Sequence, residues 1–210
     1  MARYLITQSL LSSWLYIYEC REEKKDEAMA SFLHALRREP EELDDKHRKY
    51  IQNGIDFEAE VYAEAAGKPR APHPKWEQGV QQIAAQLKGA QFQVRVSREI
   101  EVAGITFLVY GILDALHEGV ISDVKFKNDT FHGLDLAGDY LDSPQHPLYF
   151  FMVPEARLFR YMVSDGQDLY IEQYEPEDCP SAADLILQFV QFLKANNLMD
   201  TYLQHWQARS

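Results

Sequence analysis

The sequence predicts a mixed α/β fold, a central mixed β-sheet flanked by helices, and three observations carry that prediction. Helical spacing and charge fill the first part of the chain, over residues 8–20, 26–38 and 41–66. The middle is β-branched and aromatic, alternating from Gln91 to Ala103 and dominated by Ile, Val, Leu, Phe and Tyr over 105–126. Helical patterns then return at 144–153, 181–194 and 197–207, with a second strand pair between them.

Each element has its own signal. The helix at 8–20 holds the longest apolar-rich run, Leu10 to Tyr18, far short of the roughly 20 residues that a bilayer span requires. Its Ser12 and Ser13 fit an amphipathic helix, and no membrane partner is expected. Gly54 lies inside the helix at 41–66, where glycine weakens helical structure, and is expected to allow close packing against the sheet. Another helix spans 75–88. Ser143 and Pro144 read as the N-cap and first position of the helix at 144–153, with Pro147 tolerated in the first turn. Strands at 157–163 and 168–174 flank the turn Ser164-Asp165-Gly166-Gln167. The stripe Leu185, Phe189, Phe192 and Leu193 near the end belongs to a core or a subunit contact. The 210 residues are expected to form one domain: a mainly helical part (1–90), a sheet part (91–175) and C-terminal helices (176–210).

The chemistry concentrates in 105–126. The break at Glu118-Gly119 reads as a two-residue hairpin turn, which pairs His117 with Val120 and sets Asp114 opposite Asp123. Opposed residues share a face with β-carbons roughly 4.5–5.5 Å apart. Lys125, two residues beyond Asp123, shares that face, while Val124 and Phe126 point the other way. Two acids and a lysine inside an apolar strand are costly unless paired or coordinated, and a hard cation with oxygen ligands neutralises opposed carboxylates. A three-residue loop would instead send the aspartates to opposite faces. The triplet Asp44-Asp45-Lys46 has the same pattern as Asp123-Val124-Lys125, but its charged, helical context makes it a solvated face.

At these residues the chain resembles the PD-(D/E)XK nuclease superfamily, in particular its RecB-like and phage-encoded branches, over most of its length. Gly111-Ile112-Leu113-Asp114 looks like the family's Gly-x-x-Asp strand, and Asp123-Val124-Lys125 like its Asp/Glu-x-Lys strand. Gly54-Ile55-Asp56-Phe57-Glu58 is similar to the acid-bearing leading helix, with Glu60 an alternative acid. Gln145-His146-Pro147-Leu148-Tyr149 resembles the Gln-x-x-x-Tyr helix that helps place the scissile strand, its i,i+4 spacing putting both polar groups on one face.

The resemblance implies a restriction-endonuclease-like core and a deoxyribonuclease, exonucleolytic rather than endonucleolytic, serving phage or bacterial recombination, repair or DNA processing. Asp114, Asp123, Glu58 and the Val124 carbonyl would hold Mg²⁺ or Mn²⁺. Lys125 would orient or deprotonate the nucleophile, its pKa depressed by burial, and Gln145 and Tyr149 would position the substrate. DNA is the implied partner, beside a separate recombination or helicase protein. The alternative is a noncatalytic nucleic-acid- or protein-binding module of the same fold.

Composition bounds these expectations. A formal net charge of −12 opposes simple nonspecific DNA binding, which rests on neutralising phosphates with Lys and Arg. Yet residues 68–98 carry Lys68, Arg70, Lys75, Lys88, Arg95 and Arg98 against Glu77 alone, a net +5. This segment reads either as a basic rim for nucleic acid or, at 68–74, as a solvated, proline-stiffened linker. Cys20 and Cys179 alone cannot ligate an iron–sulfur cluster, and with no signal peptide a reducing cytoplasm is expected. His117, His132 and His146 match no compact zinc set, and neither a phosphate-binding Gly-rich loop nor a serine nucleophile elbow is present.

Overall fold

The structure, a computed structural model, describes residues 2–40, 42–129, 131 and 136–208. The chain begins with β1 (Arg3–Ile6) and continues through helices α1 (Gln8–Glu19), α2 (Lys25–Arg37), α3 (Asp45–Ala65) and α4 (Glu77–Gln86). The sheet strands β2 (Gln91–Val102), β3 (Ile105–His117) and β4 (Val120–Phe126) come next. Then follow α5 (Gln145–Met152), β5 (Leu158–Ser164), β6 (Leu169–Tyr174), α6 (Ala182–Ala195) and α7 (Met199–His205).

The sheet is mixed and six-stranded. The long β3 is its axis. β2 runs antiparallel along one edge of β3, from Val102↔Ile105 to Gln91↔Leu116. The other edge is shared: β1 lies parallel to the start of β3, over Thr106 to Val109, and β4 lies antiparallel to its end, over Ala115 to His117. Between them, residues 110–114 of β3 have no strand partner on that edge among the described residues. β4 then runs parallel to β5, which pairs antiparallel with β6. The pairing of His117 with Val120 is the one a two-residue turn dictates. Glu118 accepts a φ of +46° and Gly119 one of +76°, so Glu occupies a left-handed position that usually favours Gly, Asn or Asp.

The sheet separates two apolar clusters. One buries Leu11, Trp14, Phe32, Phe107, Phe159, Phe189 and Tyr202 beneath α1, α2, α5, α6 and α7. The other buries Phe57, Val61, Trp76, Val80 and Ile83 of α3 and α4 against Val124 and Met162. Leu113 packs in the first cluster and Ala115 in the second, although residues two apart on a regular strand share a face. The reason is a bend at Gln93 and Asp114, which drop out of the β2–β3 register, with Gln93 at φ +54°.

Helix starts follow their caps: Thr7, Asp44 and Ser181 each accept a backbone N–H of the first turn. Asp44-Asp45-Lys46 therefore caps α3, and Asp45 pairs with Arg48 on its surface. The α5 start differs from expectation by one residue, since Pro144 is the N-cap and Ser143 Oγ accepts the Gln145 N–H at 3.3 Å. Gly54 is also not what its sequence context implies. A β-carbon there would meet nothing within 4 Å, so it makes no close approach to the sheet. No helix of the described residues is long and apolar enough to cross a membrane.

Candidate active site

The candidate site lies where β1 and β4 part along β3. Asp114 stands at the bend of β3, and its Oδ2 accepts the Val124 N–H at 2.9 Å. Asp123, on β4, is 4% exposed. Its Oδ1 accepts from the Gln145 side-chain amide, and Lys125 Nζ lies 2.8 Å from its Oδ2. That ammonium forms an ion pair with the buried carboxylate.

Helix α3 supplies the third carboxylate. Burial, and then the charge of Asp123, push the Glu58 carboxyl above its ordinary range. Asp114 is pushed up more strongly, first by burial and then by Asp123 and Glu58. Acids that raise one another in this way share a space short of positive charge. Glu60 faces elsewhere: it bonds Arg70 and the His73 N–H, which leaves Glu58 as the α3 acid beside the strands.

Lys125 differs from expectation. Burial is the largest single influence and pulls its pKa down, but Asp123 and Asp114 together outweigh it, so the ammonium is held above its ordinary value. With no cation beside these carboxylates, Lys125 carries a positive charge.

Gln145 and Tyr149 sit at opposite ends of one face of α5. Gln145, 5% exposed, orients Asp123 through its amide. Tyr149, also 5% exposed, donates its hydroxyl to the Ile112 carbonyl at 3.0 Å, within the stretch of β3 that lacks a strand partner on that edge. Its ring lies so close to Gly111 that a β-carbon there would sit 2.5 Å from Cε1. Gly111 thus lets α5 approach β3 closely enough to bring Gln145 to Asp123.

Tyr62, Gln93 and Tyr140 also surround the carboxylates and were not identified from the sequence. Tyr62 follows Glu58 by one helical turn; burial, then Asp114 and Glu58, push its phenol up, and Gln93 donates to its oxygen at 3.3 Å. The i,i+4 spacing from Glu58 was the available signal. Tyr140 stacks on Tyr161 with ring centroids 4.2 Å apart, its phenol pushed up to about 12 by burial. Nothing local in the sequence marks it.

Among the described residues, no three His, Cys, Asp or Glu side chains are gathered into a ready metal-ligand cluster. The donor set nevertheless fits a hard divalent cation by its chemistry: three oxygen acids crowded enough to raise two of their pKa values, set against a single lysine. His146 is 1% exposed, stacks on Tyr174 and is pushed down to about 4 by burial, while His117 is exposed and His132 lies outside the described residues.

The segment at 68–74 joins α3 to α4 with Lys68, Pro69, Ala71, Pro72 and Pro74 exposed, as a solvated linker would, but it is anchored at two residues. Arg70 is buried among Glu60, Glu64 and Glu77, and His73 stacks on Trp76 at 4.0 Å. This also removes Arg70 from the expected basic rim. Arg98 is engaged too, donating to the Phe151 carbonyl at 2.9 Å, while Lys68, Lys75, Lys88 and Arg95 are exposed.

The fold and site together define a mixed α/β protein with an acidic cluster at a split in its sheet. No protein-family model and no curated protein matches the sequence. Similar solved structures include the crystal structure of SSO0001, 14% identical, with 92% of this chain aligned to 77% of that chain at a TM-score of 0.47. Rai1 of Scheffersomyces stipitis is 12% identical, with 92% of this chain aligned to 61% of Rai1 at a TM-score of 0.41. A second Rai1 structure, in complex with (3'-NADP)+ and calcium ion, is 11% identical with a TM-score of 0.39.

Proposed function

We propose that the protein is a Mg²⁺- or Mn²⁺-dependent deoxyribonuclease of the PD-(D/E)XK kind, working from DNA ends in cytoplasmic phage or bacterial recombination, repair or processing. The observation that supports this reading is that Lys125 pairs with Asp123 at 2.8 Å while Asp114 and Glu58 lie near enough to Asp123 for its charge to raise both of their carboxyls. The phage setting and the preference for ends come from the sequence resemblance alone.

In this proposal Glu58, Asp114, Asp123 and the Val124 carbonyl hold the ion. When bound, it supplies Lewis acidity toward a phosphate oxygen and acidifies water. Gln145 fixes the Asp123 carboxylate through Oδ1, so Oδ2, beside Lys125, keeps one direction. Lys125, held charged, offsets negative charge developing on the phosphate oxygens. Tyr149 holds the open edge of β3 in shape through the Ile112 carbonyl.

A second reading, the noncatalytic binding module, is favoured by the net charge of −12 and by the loss of Arg70 to its glutamates. One experiment separates the two. Linear, circular and single-stranded DNA are incubated with Mg²⁺, Mn²⁺ or EDTA, beside Asp123→Ala at matched concentration. Metal-dependent cleavage that disappears in the variant supports the nuclease, and a preference for linear DNA supports action from ends. No cleavage of any substrate by the unaltered protein leaves the binding module.

A further inference from the structure

A second cleft, distinct from the carboxylate site, opens between α1, α6 and the chain at 141–144. Its volume is about 870 Å³, within the range of binding clefts. Trp14 and Phe192 form apolar walls, and Tyr18 and Leu141 stand at its edge, each 61% exposed. The charged residues lining it are all acidic, Glu19, Asp142 and Asp178, with no Lys, Arg or His among them. Burial, and then the charge of Asp142, push the Glu19 carboxyl up, as expected of acids sharing a wall without a counter-ion. Trp14 is 3% exposed, and its indole N–H has no hydrogen-bond partner among the described residues. Buried donors are nearly always paired.

We propose that this cleft docks a peptide segment of a partner protein, with an aromatic or large aliphatic side chain seated between α1 and α6 and Lys or Arg beside it. Each requirement comes from one feature of the wall. The apolar side chain covers Phe192 and the exposed Tyr18 and Leu141. The cationic neighbours neutralise Glu19 and Asp142. A small cation would leave the apolar walls wet, a hydrocarbon would leave the acids unpaired, and a nucleic-acid strand would be repelled by the acids. The inference does not depend on the nuclease reading, because its test measures binding and not cleavage.

The probe is the N-acetylated, C-amidated tripeptide Lys-Trp-Lys, titrated into protein labelled with ¹⁵N at its tryptophans. Trp14, Trp76 and Trp206 each report separately, and the Trp206 indole is already bonded to the Leu36 carbonyl. The expected result is a saturable shift of the Trp14 indole resonance alone, with binding about fivefold weaker in Glu19→Gln/Asp142→Asn. Three results would overturn the proposal: no Trp14 shift, an equal shift with Glu-Trp-Glu, or unchanged binding in the double variant.

Discussion

Two clusters in this molecule set one cation against three carboxylates, and α3 contributes acid to both. In the first, Arg70 bonds Glu60, Glu64 and Glu77 at 2.8–3.0 Å. In the second, Lys125 contacts Asp123 at 2.8 Å, with Asp114 and Glu58 close by. The balance of charge is the same, yet the consequences are opposite. The Arg70 guanidinium holds the Glu77 carboxyl below its ordinary range, whereas Asp114 and Glu58 are both pushed above theirs. A guanidinium presents five donors in a planar fork and can bond several acids at once; an ammonium is a point charge and serves fewer. The first cluster is therefore complete as a clasp joining α3, the 68–74 segment and α4. The second is left short of positive charge, the condition in which a site takes up a cation or a proton.

The largest effect expected from breaking the second cluster is on turnover. Lys125→Ala and Asp123→Ala should each lower DNA cleavage roughly 10²–10³-fold, with Lys125→Ala still binding the metal, measured as release of labelled product in Mg²⁺. Normal cleavage by either variant would sink the site assignment. Breaking the first cluster should act on stability instead. Arg70→Met leaves the Glu60 carboxylate without a counter-charge, held by the His73 N–H, and is expected to cost about 2 kcal/mol, a value kept modest because Glu64 and Glu77 retain 41% and 37% of their side-chain exposure. Thermal unfolding would fall by roughly 4–8 °C, with cleavage per folded molecule unchanged. A selective loss of cleavage would show that the clusters are not separate.

Much of this was legible in the sequence, and the rest was hidden for physical reasons. The β3–β4 register from His117↔Val120 to Ala115↔Ser122 followed from one two-residue turn, but the ladder ends there, so the expected pairing of Asp114 with Asp123 is not formed and Asp114 accepts the Val124 N–H instead. β1 was not foreseen: four residues are too few to show alternation. The choice between Glu58 and Glu60 could not be made from periodicity. Phe57 and Val61 define the buried stripe of α3, and the two acids flank it symmetrically at 100° per residue. The long-range partner settles it, since Arg70 claims Glu60. Gly111 stood out in the motif, but the Tyr149 ring that requires it comes from another element. The depressed lysine expected from burial failed because Asp123 and Asp114 outweigh desolvation at Lys125.

Cation binding sharpens the contrast without altering a residue. Mg²⁺ or Mn²⁺ at ~10 times its Kd should stabilise the folded protein by about 1.4 kcal/mol, or ~3–6 °C. Arg70→Met should keep that increment from its lower starting point, and Asp123→Ala should lose it. Superimposed melting curves in Mg²⁺ and EDTA would mean that the second cluster takes no divalent ion.

The smallest effect carries a sign that tells a strained site from a structural one. The Asp114 carboxyl has a folded-state pKa above its unfolded value of 3.8, so the folded protein binds that proton more tightly than the unfolded chain does. Below pH 3.8 both states are protonated and Asp114 carries no penalty. As pH rises through the folded pKa, the penalty of ionising it beside Asp123 and Glu58 grows to its full size. Asp114→Asn removes the charge while its amide oxygen still accepts the Val124 N–H. The variant should match the parent protein in acid and exceed it by about 1 kcal/mol at neutral pH without metal, as read from urea unfolding across the pH range. Cleavage should be lost in the same variant, because the acid that destabilises the fold is one the proposed chemistry needs. If Asp114→Asn were instead less stable at neutral pH, the carboxylate would be a structural partner like those around Arg70, and the difference between the two clusters would collapse.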